Sequence, residues 1–88
     1  MAELIKSSGR KKKVSPKNLV HFTLEELQKY VGGKIQIVET KGNQLMVINE
    51  EGKLLELPAN KRATRLYKYS PYDYIVGDAL IIKKNQIR

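Results

Sequence analysis

The stretch from Thr23 to Gly33 constrains this chain more than any other, because it carries both a start and a stop signal for one short helix. Thr23-Leu24-Glu25-Glu26 has the capping-box pattern, in which the threonine hydroxyl accepts from the amide of Glu26 and the Glu26 carboxylate accepts from the amide of Thr23. Phe22 and Leu27 fall at the two positions of a hydrophobic staple. Leu24, Leu27 and Val31 recur at helical spacing and are expected to cover one face of a sheet. Glu25 and Glu26 lie in the first turn and Lys29 near the last, as the helix dipole favours. Gly32-Gly33 ends the helix, since glycine adopts left-handed backbone at little cost.

Beyond this helix the pattern turns to strands. Lys34 to Thr40 alternates, with Ile35 and Ile37 on one face, and Lys41-Gly42-Asn43 is a turn. Gln44 to Asn49 reads as a second strand, Glu50-Glu51-Gly52 as a second turn and Lys53 to Leu57 as a third strand, giving an antiparallel meander. After Pro58, the segment Asn60 to Lys68 reads as a short helix with Ala63, Leu66 and Tyr67 turned inward. Tyr69 to Asp73 is a loop, Tyr74 to Val76 is extended, Gly77-Asp78 is a turn or bulge, and Ala79 to Lys83 is a closing strand. The expected fold is therefore α+β: one capped helix, a three-stranded meander, one short basic helix and a closing strand. A small, partly open β-barrel is the alternative, since five short extended segments can curl that far. A length of 88 residues, 41% of them apolar, allows one packed domain. Residues 1–18 are assigned to a flexible basic tail and 19–88 to the domain, entered through Leu19-Val20-His21-Phe22.

The chain has no cysteine, which excludes disulfides, thiol catalysis and cysteine-based zinc sites and fits a reducing cytoplasm. The apolar runs Leu45–Ile48 and Ala79–Ile82 are too short to span a bilayer, and the charged start lacks the apolar segment of a secretion signal, so no membrane association is expected. Net charge is +8. Lys6, Arg10, Lys11, Lys12, Lys13 and Lys17 stand in the first 18 residues against Glu3 alone, so much of the basicity belongs to the tail. Such an excess favours polyanionic partners without identifying them.

Four blocks of residues carry a family resemblance. They are Phe22-Thr23-Leu24-Glu25-Glu26-Leu27; Val31-Gly32-Gly33 with Ile35; Asn49 to Leu54 with Leu57-Pro58, Asn60, Arg62, Ala63 and Thr64; and Ile75 to Leu80. Through them the stretch from Phe22 to Ile82 resembles a bacterial and phage family described as domain of unknown function 3846. The resemblance implies a setting in phages, plasmids and other mobile elements. It implies no catalytic residues, and it leaves the basic segment before Leu19 outside its span.

Two clusters are candidates for polyanion binding: Arg10, Lys11, Lys12 and Lys13 in the tail, and Lys61, Arg62, Arg65 and Lys68 on the short helix. The alternative for each is an ordinary solvated surface. Arginine grips phosphate bidentately, and Tyr67, Tyr69, Tyr72 and Tyr74 stand close by for base stacking, or else close the core. Gly32-Gly33-Lys34 follows a helix rather than preceding one, which is the wrong end for a phosphate loop. His21 is the single histidine, with no serine or acid at a catalytic spacing. Glu51-Gly52-Lys53 lacks the upstream aspartate of a metal nuclease, and nothing in the spacing of Glu56, Asp73 and Asp78 favours a metal site. The chain is thus expected to be no enzyme and to hold no metal or cofactor. The leading expectation is a non-specific binder of DNA or RNA serving a mobile element. The rivals are a protein-interaction module acting on a host protein, and a binder of a small anionic ligand such as a nucleotide.

Overall fold

The run Ala79-Leu80-Ile81-Ile82 has no polar face, so as a strand it needs cover on both sides and neighbours on both edges. The computed structural model, which describes residues 2–17, 21–70 and 72–84, is built around that requirement. Its elements are β1 (Ala2–Ile5), β2 (Lys11–Val14), α1 (Leu24–Val31), β3 (Ile35–Glu39), β4 (Gln44–Asn49), α2 (Lys61–Leu66) and β5 (Ala79–Lys83). The strands form one sheet in the order β2-β1-β5-β4-β3, with every neighbouring pair antiparallel. β5 is central, with Leu80 opposite Leu4 on one side and Val47 on the other.

Each face of the sheet carries one helix. On the first face Phe22, Leu27 and Val31 pack with Leu4, Val14, Val47, Leu80 and Ile82. On the second, Ala63 and Tyr67 pack with Ile5, Met46, Ile75, Ala79 and Ile81. α1 starts and stops where its signals lie. The amide of Glu26 donates to Thr23 Oγ1 at 3.2 Å and the amide of Thr23 donates to Glu26 Oε1 at 3.1 Å. At the other end Gly32, at φ 80°, donates its amide to the Gln28 carbonyl.

Several expectations are corrected. Of the flexible tail expected over residues 1–18, the described residues 2–17 do not stand outside the fold: β1 and β2 form a hairpin within them, and Ala2, Leu4, Ile5 and Val14 are buried. The reason is β5, whose second edge would otherwise be unpaired. Lys53–Leu57 is not a third meander strand. Both edges of β4 are already taken, by β3 and β5, and the chain coils instead, with the Leu55 amide on the Glu51 carbonyl and the Leu57 amide on that of Gly52. Tyr74–Val76 contributes only an isolated bridge between Val76 and Ala59. The sheet is open, with β2 and β3 as edges, so the barrel alternative does not hold. Leu24 is 58% exposed and Leu66 40%, so neither is an anchor of its helix. The proposed entry through Leu19 and Val20 lies outside the described residues.

Candidate functional site

α2 lies across the second face of the sheet and is fixed at both ends. At its start, Asn60 is fully buried and its side chain makes three hydrogen bonds. Oδ1 accepts from the Ala63 amide at 3.0 Å, while Nδ2 donates to the carbonyls of Ile5 and Gly77 at 2.8 and 2.9 Å. Thr64 Oγ1 donates to the Asn60 carbonyl at 2.7 Å and accepts from the Ile75 amide at 2.9 Å. At its end, the Lys41 amide donates to the Leu66 carbonyl and the Lys68 amide to that of Glu39. Six residues would make a poor helix alone. These ties to β1 and β3 make it a rigid platform.

The outer side of that platform is basic. Lys61, Arg62 and Arg65 are exposed, and none joins an ion pair among the described residues. They face the turn between β1 and β2 across a shallow groove of about 390 Å³, lined by Ser7, Ser8, Gly9, Ala59, Lys61, Arg62 and Arg65. No acidic side chain lines it. The turn is held by the Lys6 amide on the Arg10 carbonyl and by the Ser7 amide on Asp78 Oδ1 at 3.0 Å. The cations of α2 thus lie against the turn that precedes the basic run at residues 10–13. Ser7-Ser8-Gly9 is a turn signal between two short strands, but the surrounding lysines give the segment the pattern of a tail and hide its place in the site.

The eight candidate cations do not act alike. Arg10 ends the turn beside the groove. Paired residues of a sheet share a face, so Lys11 and Lys13, opposite Ile5 and Glu3, lie on the α2 side, whereas Lys12, opposite Leu4, lies on the α1 side. Lys12 is therefore separated from the others. Lys11 makes a long ion pair with Glu3, 3.8 Å with both partners partly exposed, which leaves its charge largely available. All three lysines stand on the edge strand β2, where lysine also opposes strand addition by another chain. Lys68 is engaged by Glu39 at 2.9 Å. The pairing raises the pKa of Lys68 and lowers that of Glu39, through the hydrogen bond first and charge attraction second.

The tyrosines also divide. Tyr67 is buried and burial raises its pKa, whereas Tyr69, Tyr72 and Tyr74 are exposed. Lys53 is hydrogen-bonded to Asp73 and sits 4.4 Å above the Tyr74 ring. That bond raises the pKa of Lys53 and lowers that of Asp73.

Asp73 is committed to Lys53 and Asp78 to the Ser7 amide. Among the described residues no group of three or more histidines, aspartates and glutamates is placed to hold a metal ion. A larger groove of about 610 Å³ beside α1 mixes Lys6, Lys17 and Lys29 with Glu25, Glu26 and Asp78, so it favours neither sign of charge. No helix among the described residues is long and apolar enough to cross a membrane.

Comparison with known proteins gives a family and no activity. No curated protein and no solved structure matches the chain. A family model described as domain of unknown function (DUF3846) matches residues 4–87, and the chain belongs to that family. The match begins within β1 and takes in the turn and β2, so that segment is part of the family domain rather than an addition to it.

Proposed function

We propose that this member of the DUF3846 family binds nucleic acid without sequence specificity, through the surface formed by the β1–β2 turn and α2. The observation that carries the reading is the groove itself: Lys61, Arg62 and Arg65 converge there with the Ser7-Ser8-Gly9 turn, and no carboxylate lines it. Phosphates are the polyanion such a surface suits. Arginine presents a planar fork to phosphate oxygens, and the serine hydroxyls add neutral donors. Because the cations sit on anchored elements, they present a fixed spacing rather than a diffuse cloud. The setting belongs to the same reading: an accessory protein of a phage or other mobile element, working in the cytoplasm.

The test is an amide NMR titration with a short mixed-sequence oligonucleotide at low and at physiological salt. Shifts are expected at residues 7–13 and 61–65 together, surviving at the higher salt. Changing Arg62 and Arg65 to alanine should weaken binding by about tenfold or more, about 1.4 kcal/mol. Binding that ignores both arginines would overturn the reading.

A second reading, a protein-interaction module acting on a host protein, is favoured by Leu54 and Leu55. They are 79% and 56% exposed, side by side on the coil after β4. It expects a partner that is retained after nuclease treatment and lost in Leu54→Ser/Leu55→Ser.

A further inference from the structure

We propose that the nucleic acid this surface takes is single-stranded, with Tyr69 and Tyr72 stacking on its unpaired bases. The proposal rests on the reading of the α2 surface as a phosphate-binding site and names the class of strand bound there.

Tyr69 and Tyr72 both stand just past the end of α2. The Tyr72 amide donates to the Tyr69 carbonyl at 2.8 Å, which holds the two residues together. Tyr72 is 93% exposed and Tyr69 56%. Tyr69 is nevertheless braced. Its ring meets that of Tyr67 edge to face, with centroids 5.6 Å apart, and Tyr67 is itself buried and bridged to Thr40. A ring held this way loses little freedom on stacking, the condition under which an exposed aromatic contributes most to binding.

Geometry links the rings to the cations. α2 is about 9 Å long at 1.5 Å per residue, so its cationic start and the turn beyond its end are within reach of one short strand. The Lys68 ammonium lies 5.9 Å from the Tyr69 ring but is paired with Glu39 at 2.9 Å, so the charge offered to phosphate is that of Lys61, Arg62 and Arg65. A duplex keeps its base faces inside the stack, out of reach of a protruding tyrosine. Only a strand with unpaired bases satisfies the cations and the rings at once.

The full chain is tested by fluorescence anisotropy against four labelled probes: oligothymidylate, oligouridylate, an abasic strand with the same number of phosphates, and a duplex. Oligothymidylate or oligouridylate should bind at least about tenfold more tightly than the abasic strand and the duplex. Tyr69→Ala/Tyr72→Ala should remove that preference and leave abasic binding unchanged, whereas Tyr69→Phe/Tyr72→Phe should keep it. Tyr72→Ala alone, at a nearly fully exposed position, guards against a folding defect and should remove part of the preference. Equal affinity for the abasic and base-bearing strands, with the tyrosine variants unchanged, overturns base stacking and leaves phosphate binding standing. Affinity unaffected by Arg62→Ala/Arg65→Ala, or no binding of any probe, overturns the phosphate site and the stacking proposal with it.

Discussion

Asn60 joins three parts of the chain that no local rule connects. Its side chain caps α2 through the Ala63 amide and reaches the carbonyls of Ile5 in β1 and Gly77 before β5. Asn60→Ala would leave those buried groups without partners, at about 1–3 kcal/mol for each group not rescued by water. We expect a net loss of about 3 kcal/mol, and a thermal midpoint lowered by more than about 10 °C. Asn60→Asp keeps the cap acceptor but loses both donors and buries a charge, so it should not rescue. A midpoint for Asn60→Ala within a degree or two of wild type would remove the residue from this role. Asn60 read in the sequence as the start of a helix, which it is. Its links to residues 55 and 17 positions away were not legible. The same holds at Gly77. A turn was expected, but only the structure supplies its φ of 75° and shows that an added Cβ would meet Leu57 Cδ1 at 2.8 Å. Leu24 marks the opposite failure, a residue with the right spacing for the core that lies 58% exposed because a two-turn helix buries little more than Leu27 and Val31.

At the scale of elements, what was legible was whatever carried its own punctuation. α1 has a box at one end and glycine at the other, the β3–β4 turn has Gly42-Asn43, and β5 is an unbroken apolar run. β1 and β2 have four residues each, and β2 offers only Val14 to the core, so its lysines dominate the reading. Their alternation across an edge strand becomes meaningful only once β5 is known to need a neighbour. Removing residues 1–14 should therefore do more than lower charge. It deletes Ala2, Leu4, Ile5 and Val14 from the core, uncovers an edge of β5 and strips Asn60 of one acceptor. The truncated chain should show no cooperative thermal transition by circular dichroism. Retention of a wild-type transition would restore the tail assignment. The link from β2 to α1 yields a pH prediction. Glu26 accepts from the amides of Lys17 and Thr23, and these two bonds, in that order, lower its pKa from the ordinary 4.5. A carboxyl lowered in the folded state stabilises the fold above its unfolded pKa, and that contribution is lost as pH falls through the lower folded value. Glu26→Gln should therefore melt below wild type at neutral pH, with the gap closing well below pH 4.5. A gap independent of pH would exclude the charged form as its origin.

For the whole molecule, the decisive fact is that one central strand organises both faces and both ends of the chain. β5 binds β1 on one edge and β4 on the other, α1 covers one face and α2 the second, and so the first and last thirds of the sequence become neighbours. The net charge of +8 is legible in the sequence, but its placement is not, because the lysines of residues 11–13 belong to a strand rather than a tail. With the lysines of residues 11–13 fixed on a strand, charge acquires a direction: Lys11 and Lys13 join the α2 side and Lys12 the α1 side. Salt dependence can detect that direction. For a single strand, log K falls with log salt by about 0.7 for each phosphate neutralised. Arg62→Ala/Arg65→Ala should therefore flatten the slope by about 1.4, and Lys11→Ala by about 0.7. Lys12→Ala removes the same formal charge from the same tripeptide and should leave the slope unchanged. A mobile tail would make Lys11 and Lys12 equivalent, because each would find phosphate equally often. Unequal slopes would thus report a folded basic surface, and equal ones would mean that the hairpin loosens when the partner arrives.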